Sequence, residues 1–89
     1  MKNNINAYGK MRSVEGVELF IGMKVILTND IKKMRKYFGD VLSFELIKMF
    51  GKTVTIKNIS IQTEHLCLFE IEEDPDGHCF TKKLLSGVL

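Results

Sequence analysis

From Lys52 to Leu85 apolar and polar residues alternate and turn signals recur at short intervals, which limits this half of the chain to a few short strands. In KTVTIKNI (52–59), Val54 and Ile56 fall on one face and Thr53, Thr55 and Lys57 on the other, the period of a half-buried strand. In the next run Cys67, Phe69 and Ile71 share a face, while Leu66, Leu68, Glu70 and Glu72 make the opposite one half apolar and half acidic. Asp74-Pro75-Asp76-Gly77 then predicts a turn, with Pro presetting φ and Gly accepting a positive one. His78 to Phe80 is expected to return as a short strand. Thr81 is placed to cap a last helical turn through Lys82, Lys83, Leu84 and Leu85, with Gly87 ending it. The expectation is the closing half of a small β-barrel.

Eighty-nine residues suffice for one domain, and a chain of this size buries roughly 60 to 65% of its unfolded surface. A formal net charge of +2 does not by itself indicate nucleic acid. The start is basic but lacks the continuous apolar stretch of a secretory leader, and no apolar run approaches the ~20 residues of a membrane span. A cytoplasmic protein with no membrane contact is expected. Cys67 and Cys79 are its only cysteines. In that compartment they are expected to be reduced, with Cys67 in the core beside Phe69 and Ile71.

Residues 1–16 read as a flexible or irregular N-terminal segment, and 17–89 as a single domain. Val17 to Thr28 (VELFIGMKVILT) is rich in strand formers and broken at Gly22, which predicts one bent strand or two short ones. Asn29 or Asp30 can cap a helix near 30–38 whose apolar stripe is Ile31, Met34, Tyr37 and Phe38, ended by Gly39. Ser43 can cap a second helix near 44–50, ended by Gly51. Both are so short that tertiary packing has to hold them.

This order of Gly22 leading into MKVIL, a helical insertion closed by glycine, GKTVTIKNI, EIEEDPDG and a terminal FTKKLL resembles small Src-homology-3-like barrel proteins encoded by phages and prophages of low-GC Gram-positive bacteria. The likeness runs from about Leu19 to Leu85. It implies a mainly β fold with short helices (α+β), a barrel with a two-helix insertion after the first core strand, and a place in the cytoplasm of a bacterial host cell. The aromatic position before the last turn, often Trp in such proteins, is Phe80 here. No site built on an indole is therefore carried over.

Candidate chemistry is sparse. His65, Cys67, His78 and Cys79 are enough ligands for a structural zinc, but adjacent His78 and Cys79 point to opposite faces of a strand and neither pair has ligand spacing. No metal or cofactor is expected. The run Glu70, Glu72, Glu73, Asp74 and Asp76 reads as a solvated hairpin guarding a sheet edge before it reads as a cation site. Serines without a nucleophile elbow and glycines without a phosphate loop argue for a non-enzyme with no catalytic residues.

Two binding roles remain. Barrels of this kind commonly bind nucleic acid, and Lys32, Lys33, Arg35 and Lys36 would supply the phosphate contacts. Basic and aromatic residues are not interleaved along the strands, which argues against this. Charge is also segregated: Glu64 to Asp76 holds six acidic and no basic residues, and Asn29 to Lys52 holds six basic and three acidic. Such a dipolar chain suits a charge-complementary host protein or protein complex, or a homodimer, better than a phosphate backbone. The expected partner surface is Leu66, Leu68, Glu70, Glu72, Asp74 and Asp76, with Tyr37, Met49 and Phe50 as a second patch. With the phage resemblance, the expected role is inhibition of a host complex such as a bacterial defence system, in the manner of an anti-CRISPR protein.

Overall fold

The computed structural model describes residues 12–89. Its elements are β1 (Lys24–Leu27), α1 (Ile31–Phe38), a 3₁₀ turn (Gly39–Val41), α2 (Phe44–Ile47), β2 (Thr53–Gln62), β3 (Cys67–Ile71), β4 (Phe80–Thr81), a second 3₁₀ turn (Lys82–Leu84) and β5 (Leu85–Val88). The strands form one five-stranded sheet in the order β4-β3-β2-β1-β5, and every neighbouring pair is antiparallel. The fold is therefore α+β, with the two helices between β1 and β2 as expected. Among the described residues no ladder joins β4 to β5, so the sheet is open.

β2 serves two partners. Thr53 to Thr55 pair with β1, and from Ile56 onward the strand pairs with β3. Register shifts between Ile56 and Asn58 and between Ile59 and Ile61 mark bulges, which bend a strand and raise its twist. Cys67, Phe69 and Ile71 point into the core, as their alternation predicted. Phe80 stacks on Phe69 with ring centroids 6.1 Å apart. Phe38 meets Phe80 edge to face at 5.4 Å and so docks α1 against β3 and β4.

Both helices start at the predicted caps. The Asp30 carboxylate accepts from the Lys32 N–H at 3.0 Å and the Ser43 hydroxyl from the Leu46 N–H at 3.2 Å. Gly39, at φ 57°, ends α1 by donating its N–H to the Arg35 carbonyl. α2 stops at Ile47, and turn hydrogen bonds carry the chain on to Gly51. Only Leu46 of α2 is fully buried, while Leu42, Met49 and Phe50 pack in from the side. Met49 and Phe50, expected on a docking patch, thus help to complete the core.

Two segments depart from the sequence reading. Of Val17 to Thr28 only Lys24–Leu27 is a strand. Leu19 and Met23 are buried while Phe20 and Ile21 stand out, because a turn closes between the Phe20 carbonyl and the Met23 N–H at 3.1 Å, with Gly22 at φ 90°. The Gln62 side-chain amide replaces strand pairing there: it accepts from the Leu19 N–H at 2.8 Å and donates to the Leu19 carbonyl at 3.0 Å. At the other end the helical turn is a single 3₁₀ turn. Leu85–Val88 is a strand on the outer side of β1, with Gly87 inside it.

The segment read as irregular is tied down where it is described. Arg12 and Val88 exchange backbone hydrogen bonds at 2.7 and 2.9 Å, and Val14 packs against the core. Residues 1–11 of the segment expected to be flexible lie outside the described residues.

Candidate functional site

The acidic hairpin is only partly available to a partner. Asp74 is 4% exposed, not on the surface where the sequence pattern put it. Its carboxylate accepts from the backbone N–H groups of Asp76 at 3.1 Å and His78 at 2.8 Å, and it lies 2.9 Å from His78 Nδ1. These bonds close the turn, which is why the carboxylate is drawn inside. Asp74, Asp76 and His78 are the one group of three metal-ligating side chains gathered among the described residues, and the turn's own hydrogen bonds occupy its central carboxylate. His65, Cys67 and Cys79 are not brought to it; Cys67 is buried, Cys79 exposed, and both thiols are free.

Glu73 is also committed. It accepts from the Thr55 N–H at 2.9 Å and the Thr55 hydroxyl at 3.2 Å, while Lys24 Nζ donates to that hydroxyl at 2.6 Å. Glu72 sits just past β3, its N–H bonded to the Thr55 carbonyl at 2.9 Å. Glu70 is half-buried, and Glu72 and Asp76 are exposed.

The other predicted residues converge elsewhere. Of the basic cluster on α1 only Lys33 and Lys36 border this region, with Tyr37; Lys32 and Arg35 do not. Lys33, Lys36 and Tyr37 line an open recess of ≈ 660 Å³ against the 3₁₀ turn Lys82–Leu84. A second recess of ≈ 460 Å³ adjoins it, and Leu66, Leu68, Glu64 and His65 line its far end. Val14, Tyr37, Thr81, Lys82 and Lys83 border both recesses, which therefore form one continuous groove. Glu70, Glu72, Asp74 and Asp76 border neither recess.

Tyr37 stands at the middle of this groove, 41% exposed, its ring held edge-on to Phe38 at 4.8 Å. Partial burial, with Cys79 nearby, pushes the phenol pKa above its ordinary value. The phenol is thus a neutral hydrogen-bonding group at physiological pH. Lys82 donates to the Val17 carbonyl and fixes the groove floor. Among the described residues both ion pairs involve histidine, and no lysine or arginine lies within 4.0 Å of an Asp or Glu carboxylate. The groove lysines are therefore without internal counterions.

Lys82, Lys83 and Val14 were missed as site residues. The lysines were legible only as the polar part of a terminal turn, and Val14 falls in a segment without periodicity. Phe20 and Ile21, exposed by 60 and 61%, also escaped notice because they sit in a run that reads as strand, while Phe44, one of the apolar residues in excess on the short helices, is 70% exposed. Compared with known protein families, curated proteins and solved structures, the chain finds no match. The described residues include no helix long and apolar enough to cross a membrane.

Proposed function

We propose that this protein acts by binding, as a small phage-type accessory protein that docks on a host protein complex and blocks it, with a bacterial defence system as the target in mind. On this reading the open sheet is a variant of the Src-homology-3-like barrel. The strand order β4-β3-β2-β1-β5 and the short helical turn just after Phe80 support it. The role is non-catalytic and cytoplasmic. The Thr63 hydroxyl and Cys67 thiol in the groove bond to the Leu66 carbonyl and the Gln62 amide, neither of which is a general base.

The observation that carries the proposal is the groove itself. It gathers Leu66 and Leu68 from one expected patch, Tyr37 from another and Lys33 and Lys36 from a third onto a single concave surface. Apolar anchors flanked by charge at a concavity are what a protein partner needs. A nucleic-acid role draws on the same lysines, but Glu15 and Glu64 line the groove too and would repel a phosphate chain. The test is affinity capture from a low-GC Gram-positive host with wild-type, Leu68→Asp and Tyr37→Ala proteins, with a nuclease digest of each eluate. A stoichiometric, nuclease-resistant protein that is lost with both variants is expected. Recovery of nucleic acid, or a partner retained by both folded variants, overturns the proposal.

A further inference from the structure

We infer that the groove takes an extended acidic segment of a protein partner, one that carries an apolar anchor beside its carboxylates. This rests on the binding role proposed above and specifies what the partner must present. The groove is polarised along its length. Lys33 and Lys36 line only the first recess, Lys82 and Lys83 border both recesses, and no carboxylate lines the first. The other end offers Leu66 and Leu68 together with Glu64 and Glu15, so it combines apolar surface with negative charge. Leu66 is 44% exposed, an aliphatic side chain that no element of the described residues covers.

This asymmetry selects among anionic ligands. A nucleic acid brings one negative charge with every nucleotide, so a strand following the groove would set phosphates against Glu15 and Glu64. A polypeptide can confine its carboxylates to the lysine end and place an apolar side chain against Leu66 and Leu68, so nothing is forced against the glutamates. Tyr37 suits that ligand, since its hydroxyl can bond a passing backbone group and its ring covers the junction between the two ends. A single aromatic held edge-on to Phe38 is a poor platform for a run of stacked bases. Among the described residues none of the groove lysines is paired with a carboxylate, and the one internal bond, from Lys82 to the Val17 carbonyl, leaves its charge in place, so an acidic segment finds them unneutralised.

The experiment is selection from a displayed library of random short peptides against the full chain, followed by titration of synthetic winners with oligothymidylate as competitor. Enriched peptides should carry an apolar residue with clustered Asp or Glu to one side of it. The charge reversals Lys33→Glu and Lys36→Glu together should weaken the winners at least ~10-fold, and Leu68→Asp should weaken them as well, with circular dichroism confirming that each variant is folded. Added salt should weaken the interaction moderately. Neutral winners that respond to Leu68→Asp but not to the lysine reversals would overturn the acidic preference while leaving the binding role intact. Displacement by oligothymidylate with steep salt dependence would overturn both. Failure to enrich any peptide would also count against the inference.

Discussion

The Asp74 carboxylate accepts hydrogen bonds from two backbone N–H groups within a five-residue turn and approaches the His78 ring, at 4% exposure. Removing it leaves partly buried donors unpaired, and the loss of such a bond to a charged group costs ~1 to 3 kcal/mol. Asp74→Ala should therefore lower the urea unfolding free energy by about 2 kcal/mol, whereas Glu72→Lys and Asp76→Lys, at exposed positions, should each stay within about 0.5 kcal/mol of wild type. Equal effects at all three positions would mean that Asp74 contributes no more to the turn than an exposed carboxylate. The two cysteines differ in the same way. Burial pushes the Cys67 thiol pKa up, with Lys82 opposing it more weakly, and Cys79 is exposed. Alkylation of the native protein should label Cys79 first and reach Cys67 only on unfolding. Because the folded pKa values of Cys67 and Tyr37 both lie above their ordinary 9.0 and 10.0, the stability these groups contribute is complete below those values and declines as pH rises past them. The urea midpoint should fall from about pH 9 upward; a rise there would contradict the burial of both groups.

At the scale of elements, α1 and β5 carry more of the fold than their length suggests. Phe38 joins α1 to Phe80 and through it to Phe69, so Phe38→Ala should cost about 3 to 5 kcal/mol, a large share of what a domain of this size has. β5 supplies Leu85 and Val88 to the core and pairs along β1. Ending the chain after Leu84 should abolish cooperative thermal unfolding, and a truncated protein with wild-type cooperativity would show β5 to be an accessory. These two elements also show what the sequence could and could not tell. α1 was legible because cap, stripe and stop are local signals, and Asp30, Met34, Phe38 and Gly39 do what their types imply. β5 was not, because LSGV is too short to show a period, and only Val25, Ile26 and Leu27 across the ladder make it a strand. Val17 to Met23 failed for a related reason: the side chain of Gln62, 43 residues away in sequence, holds Leu19 at the start of a turn that buries Leu19 and Met23 and exposes Phe20 and Ile21. The groove was legible only in fragments. Tyr37, Lys33 and Leu68 each stood out, but nothing local says that α1, β3 and the 3₁₀ turn meet.

Over the whole molecule, charge is sorted by the fold as well as by the sequence. The acidic hairpin commits Glu73 and Asp74 to internal hydrogen bonds, while no described lysine or arginine forms an ion pair with an Asp or Glu carboxylate. The exposed field available to a partner is thus more basic around the groove than the net charge of +2 conveys. Leu68→Asp, at the groove's apolar end, should reduce partner affinity at least ~10-fold, about 1.4 kcal/mol, with little change in the folded far-ultraviolet spectrum. Glu70→Lys with Glu72→Lys should leave binding nearly unchanged, since neither residue lines the groove. The most direct test is hydrogen exchange of the full chain, free and bound to the protein captured from its host. Protection should appear in the segments containing Lys33 to Tyr37, Leu66 to Leu68 and Thr81 to Lys83. Protection confined to the 70–76 hairpin, or no change around Tyr37, would contradict the account.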